Sequence, residues 1–239
     1  LITRNKKKNG PIFGLDEDAG VIYPNIEYDL YSKKFWSKND PDLKDEALLK
    51  LRKLKLGKIE TNDIFDIEKW ATYFAIIDLT ANFHGSIPKS VKLYFNPESQ
   101  KFEPIGFDGH YNPDLFQNFL IIDFLDEDNK NCDYICAERE WYLKFLKLND
   151  ENINKKFVKI YLNKLKEISS DNFIQNFNEI NLEKIIYYNK QFLSETSKKD
   201  KVLYKGFGPY LFDDEYLLKR SKYLQKRIFE IENRFSENI

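Results

Sequence analysis

Residues 67–80, IEKWATYFAIIDLT, constrain the fold of this chain more than any other stretch. Ile67, Trp70, Ala71, Phe74 and Ile77 recur at helical spacing, and Tyr73, Ile76 and Leu79 carry the apolar surface beyond one face. Such a helix is stable only when covered on several sides, so the rest of the chain must pack around it, and Asp66 supplies an N-cap. Beyond a short polar loop, residues 90–96 alternate in character as a strand does, and residues 101–107 read as the partner strand. Asn96-Pro97-Glu98-Ser99-Gln100 supplies the turn between them. The predicted unit is a central helix, a loop and an antiparallel hairpin.

The flanking sequence reads mostly as helix. Asp42 is placed to cap residues 43–56, whose stripe is Leu48, Leu51 and Leu54 or Leu56. Further helices are predicted at 114–125, with Pro113 in the first turn, and at 137–148, 153–168, 172–180, 182–195 and 214–235. Residues 1–31 read as irregular apart from a short strand near 12–15, and residues 205–209 (KGFGP) as a turn without the context of a phosphate loop. The expected fold class is α+β, mostly helical, with one hairpin.

A hydrophobic content of 42% argues for a folded core despite 32% charged residues. The net charge of −1 gives no global reason to expect a nucleic acid partner. The apolar run at residues 119–122 ends at Asp123, so no membrane span is expected. Residues 126–137 fail as a calcium loop, with Asn131 where glycine is needed and Ala137 where a bidentate glutamate belongs. Cys132 and Cys136 fit either a short disulfide in a loop or two thiols at a helix start.

Chemistry is expected around the hairpin. The only two histidines, His84 and His110, bracket it, and Asp108 sits in the turn Phe107-Asp108-Gly109-His110 after the second strand. A hairpin brings the segment before its first strand close to the segment after its second. One pocket would then hold His84, Lys89, Ser90, Asp108 and His110. An imidazole beside a carboxylate serves as a base or as a plain hydrogen-bonded pair. The trio His84, Asp108 and His110 also suits zinc or iron chemistry in a hydrolase.

The run from Asp63 to His110 resembles the secreted kinase-like family of spore coat protein H, the CotH kinase family. The resemblance is carried by Asp66, Tyr73-Phe74, the loop 82–90, Leu93-Tyr94, Asn96-Pro97 and Phe107-Asp108, and more weakly by the helical tail from Phe157. It implies a kinase-like C-terminal lobe and phosphotransfer from ATP with Mg2+ or Mn2+ to a protein acceptor. Carried over, Asp108 matches the first acid of the family's terminal motif and would hold metal, while Phe107 would pack on the nucleotide base. Lys89 joins Phe107 as a cofactor contact, and Ser90 and His110 join Asp108 as metal positions. The chain departs from the family at His84, which takes the loop's aspartate position, at Ser90, which takes its asparagine position, and at His110, which replaces the second acid. Either His84 acts as base or positions the acceptor, with Asp108 the one strong ligand, or the chain is a catalytically silent surface or envelope interaction module.

The chain starts at Leu1 and contains no methionine, which reads as a trimmed product lacking the N-terminal lobe. The expected layout is a remnant and linking helix at 1–60, the helix–hairpin core at 61–112 and a helical part at 113–239. The resemblance implies an extracytoplasmic location, which a Cys132–Cys136 bridge would suit.

Overall fold

A computed structural model describes residues 8–15, 28–106, 118–128, 133–195 and 214–235. The architecture is helical around a small antiparallel sheet, as the patterning predicts. Strands β1 (Ile12–Gly14) and β2 (Asp29–Leu30) precede helices α1 (Lys33–Asn39), α2 (Pro41–Lys55), α3 (Thr61–Ile64) and α4 (Ile67–Thr80). A 3-10 turn (Phe83–Ser86) leads into strands β3 (Lys92–Asn96) and β4 (Lys101–Ile105). Then come 3-10 turns at Ile121–Leu125 and Asp133–Glu138, and helices α5 (Arg139–Leu146), α6 (Lys155–Ile168), α7 (Asp171–Glu195) and α8 (Asp214–Phe235).

The hairpin is half of a larger sheet. Its order is β2-β1-β3-β4, all antiparallel, with Phe13 opposite Leu93 and Tyr94 opposite Glu103. β1 can pair so closely because Gly10 has no side chain: a Cβ there would lie 2.2 Å from the Phe95 carbonyl oxygen. The first strand near residues 12–15 was therefore legible, but its pairing with β3 was not.

Helix α4 is the centre of the core. Asp66 caps it, its Oδ1 accepting from the Lys69 amide at 3.2 Å. Trp70 is fully buried among Phe65, Phe74, Trp141 and Phe145, and its Nε1 donates to the Phe102 carbonyl of β4 at 3.0 Å. That indole both fills the core and ties helix to sheet, so its polar atom is satisfied at no cost to packing.

Several predicted boundaries are corrected. Helix α2 starts two residues earlier than expected, because Asp40 rather than Asp42 accepts from the Leu43 amide. Its buried stripe is Ala47, Leu51 and Leu54, leaving Leu56 exposed. Within the predicted helix 114–125, residues 114–117 lie outside the described set, and the described end is a 3-10 turn. There the Leu120 amide donates to Asp123 Oδ2 and the Ile121 amide to Asp78 Oδ1, so carboxylates take the donors that an α-helix would use. The predicted helices 172–180 and 182–195 are one helix, α7; Asn181 does not break it, its Nδ2 donating back to the Phe177 carbonyl. α5 begins at Arg139, two residues after the predicted start. The turn predicted at 205–209 lies outside the described residues.

Candidate functional site

The loop between α4 and β3 is built by its backbone. α4 ends on Ala81 in the left-handed region (φ 50), whose N–H returns to the Ile77 carbonyl. The chain then turns through residues 83–86, and three side-chain donors pin that turn. Tyr73 Oη donates to the Gly85 carbonyl at 2.6 Å, and Trp141 Nε1 to the Ser86 carbonyl at 3.0 Å. Ser86 Oγ donates to the Phe83 carbonyl at 2.8 Å and lies 2.8 Å from Tyr142 Oη. Burial pushes the Tyr73 hydroxyl well above its ordinary pKa, so it stays a donor.

On this fixed turn His84 is half-buried, and its Nδ1 stands 3.2 Å from Ser90 Oγ. Ser90 is itself buried, at 1% exposure, at the end of the loop. Lys89 is exposed beside it, its carbonyl accepting from Lys92 Nζ at 2.9 Å. The structure thus brings His84 and Ser90 together and leaves Lys89 at the rim.

The other end of the hairpin reaches the same tyrosine. A Cβ built on Gly106 would lie 3.2 Å from Tyr73 Oη and from its ring, so the backbone leaving β4 passes directly over the side chain that holds Gly85. Tyr73 therefore spans from the residue after His84 to the residue before Phe107. Phe107, Asp108 and His110 themselves lie outside the described residues.

Sequence reasoning missed one acid beside this loop. Glu138 is half-buried, and its Oε2 is buried with no hydrogen-bond partner among the described residues. Burial raises its carboxyl pKa, and the nearby Lys89 ammonium opposes that rise. Asn82 Oδ1, at the start of the loop, is likewise buried without a described partner. Nothing in the spacing of Glu138 marks it, since it stands at the end of the 3-10 turn Asp133–Glu138, far from the loop in sequence.

A second polar group was also missed, and it is structural. Asp78 is fully buried on α4. It accepts from the Tyr161 hydroxyl of α6 and, through Oδ1, from the Ile121 amide at 3.0 Å. Arg220 of α8 donates from Nε to the Asp78 carbonyl and from Nη2 to the Phe119 carbonyl, both at 2.8 Å. Arg227 adds a 2.6 Å pair with Asp123. Burial pushes the Asp78 carboxyl up to about 7, against the opposing pull of Tyr161 and Arg220. The signal was present: Asp78 follows Phe74 by four residues, on the buried stripe.

Among the described residues, no group of three or more His, Cys, Asp or Glu side chains is placed to hold a metal ion. The described part of the proposed ligand set is Ser90, whose hydroxyl already faces His84. Cys136 is disulfide-bonded; the other cysteine of the chain, Cys132, lies outside the described residues. No described helix is long and apolar enough to cross a membrane. No protein-family model matches the chain, and no curated protein matches it significantly.

Proposed function

We propose that this chain is the helical lobe of a kinase-like phosphotransferase, acting with ATP and Mg2+ or Mn2+ on a protein acceptor outside the cytoplasm. One observation carries the reading: Tyr73 bonds the carbonyl next to His84 while lying under Gly106, which leads into Phe107-Asp108. A loop before the hairpin is thereby bonded to the side chain that a strand end after it closely approaches. Phosphoryl transfer needs that arrangement, because charge on the transferring group must be neutralised a few ångströms from the attacking hydroxyl. In this reading His84 orients or deprotonates the acceptor hydroxyl, Ser90 fixes the ring through Nδ1, and Asp108 holds the metal, with Ser90 and His110 the further metal positions. Phe107 stacks on the base, and Lys89 faces phosphate. The bound metal supplies charge neutralisation of the phosphates. The disulfide at Cys136 supports an oxidising, extracytoplasmic compartment.

The test is label transfer from γ-labelled ATP by the purified protein. Transfer should occur with Mg2+ or Mn2+ and fall at least a hundredfold in Asp108→Ala and in His84→Ala. Transfer persisting unchanged in Asp108→Ala would sink the role given to that carboxylate. A second reading, a catalytically silent interaction module, is favoured by the burial of Ser90 and its engagement with His84. It is the answer if the intact protein neither binds metal-ATP nor transfers label.

A further inference from the structure

The carboxylate of Glu138 holds nothing in place. Glu138 is the N-cap residue of α5, where a side-chain oxygen ordinarily accepts from the first turn, yet no such hydrogen bond forms. Arg139, the cation next to it in sequence, is turned to the Phe124 carbonyl, to which its Nε and Nη2 donate at 3.1 and 2.7 Å. Glu138 Oε2 is buried with no hydrogen-bond partner among the described residues. Burying a carboxylate oxygen without a donor costs free energy that folding does not recover. The buried acids that serve the fold are all supplied with donors: Asp78 by Tyr161 and the Ile121 amide, Asp123 by Arg227, and Glu103 by Lys69. Glu138 differs from them in that the donor it lacks can arrive with a ligand.

Its neighbours place it beside the loop of His84. Trp141 and Tyr142 follow Glu138 by one helical turn, and both reach the 3-10 turn that carries His84. Trp141 Nε1 donates to the Ser86 carbonyl at 3.0 Å, and Tyr142 Oη lies 2.8 Å from Ser86 Oγ. At the far end of the same loop Lys89 precedes Ser90, and its ammonium is close enough to favour the ionised form of Glu138 without bonding to Oε2. A buried acceptor with an ammonium near it, but not joined to it, fits a neutral group that donates to the one and accepts from the other. A metal ion or an ammonium ligand placed there would meet the like charge of Lys89. A phosphate on Oε2 would meet the like charge of Glu138. A hydroxyl meets neither penalty. As its proton leaves, the negative charge developing on its oxygen is stabilised by Lys89.

We infer that Glu138 is the general base of the transfer, its Oε2 taking the proton of a serine or threonine hydroxyl whose oxygen lies beside Lys89. This role rests on the phosphotransfer reading and leaves His84 to orient the acceptor. The O–H bond breaks and its proton passes to Oε2. The electron pair so released forms the bond from the hydroxyl oxygen to the γ-phosphorus. The bond from the γ-phosphorus to the bridging oxygen breaks, and ADP leaves with that pair. Glu138 then returns its proton to solvent. Burial makes it a stronger base than an exposed glutamate, since its carboxyl pKa is raised.

The experiment measures label transfer from γ-labelled ATP with Mg2+, by the purified protein, to a degenerate library of serine- and threonine-containing peptides. Glu138→Gln should lower kcat by about a hundredfold or more with KM for ATP unchanged, because an amide cannot take the proton. Glu138→Ala should fall as far, and added formate should restore about tenfold of the rate by filling the vacated position. Formate should restore nothing in His84→Ala. Thermal unfolding separates this role from a structural one: both Glu138 variants should melt at or above the wild-type temperature, since no hydrogen bond is lost. An unchanged kcat in Glu138→Gln overturns the inference, as does a Glu138→Ala protein that formate does not rescue. A lowered melting temperature in both variants overturns it too, assigning Glu138 to the fold. Wild-type transfer that survives in Glu138→Gln removes this role alone; a wild-type protein that transfers no label removes the phosphotransfer reading and this role with it.

Discussion

Replacing Asp78 by asparagine isolates the energetics of the buried polar group that joins α4, α6 and α8. Asp78 is fully buried and its carboxyl is pushed up to about 7 from 3.8, chiefly by burial. A raised carboxyl pKa means that the folded state holds the proton more tightly than the unfolded chain. Its contribution is fully present below the unfolded value of 3.8, fades as pH rises, and is gone above about 7. Three units correspond to about 4 kcal/mol, an order of magnitude for the whole window. The side-chain amide of the Asp78→Asn variant keeps an acceptor for the Ile121 amide and a partner for Tyr161, but cannot ionise. Arg220 retains the nearby Asp123 charge and its two carbonyls. Urea unfolding of both proteins at pH 4, 5.5 and 8 should show the variant gaining on wild type by about 4 kcal/mol across that range. Asp78→Ala, by contrast, should be less stable than Asp78→Asn by about 3 kcal/mol at every pH, because the Ile121 and Tyr161 donors lose their acceptor in the core. A difference between wild type and Asp78→Asn that is flat with pH would refute the reasoning.

Other variants test separate joints of the fold. Tyr73→Phe loses the bond to the Gly85 carbonyl, so stability should fall by about 1 kcal/mol, with faster amide hydrogen exchange confined to residues 83–90. Arg227→Ala leaves Asp123 buried without its 2.6 Å partner. Thermal unfolding should report a loss of about 2 kcal/mol, discounted for the partial exposure of Arg227, and Asp123→Asn in the same chain should recover part of it. Gly10→Ala forces the β1 backbone away from Phe95, and should cost about 2 kcal/mol or more in urea unfolding.

The parts of the fold legible in sequence were those in which local signals agree. Residues 67–80 carry both a cap, Asp66, and a continuous apolar stripe, and α4 forms where both place it. The hairpin has alternation and a turn, and β3 and β4 pair as expected. Asp42 and Asp40 are both good caps, and only the geometry at Pro41 chooses between them. The four-stranded sheet was hidden because β1 and β2 hold three and two residues, too few to show a period. Of the site, the nearness of His84 to Ser90 follows from their six-residue spacing on one loop. Glu138 needed tertiary placement: no local pattern carries the end of the 3-10 turn Asp133–Glu138 back to Lys89. Asp78 and Arg220 were buried charges that periodicity could have marked, each lying on its helix's apolar stripe.

The claim beneath the functional reading is that His84 and Asp108 share one hollow that takes metal-ATP. Proton relaxation of the histidine rings by Mn2+-ATP tests it most directly, using the His110→Gln variant so that His84 gives the sole imidazole signal. Strong broadening of that signal is expected on adding Mn2+-ATP, reversed by excess Mg2+-ATP and lost in Asp108→Asn. A His84 signal that stays sharp while Mn2+-ATP is bound would contradict it.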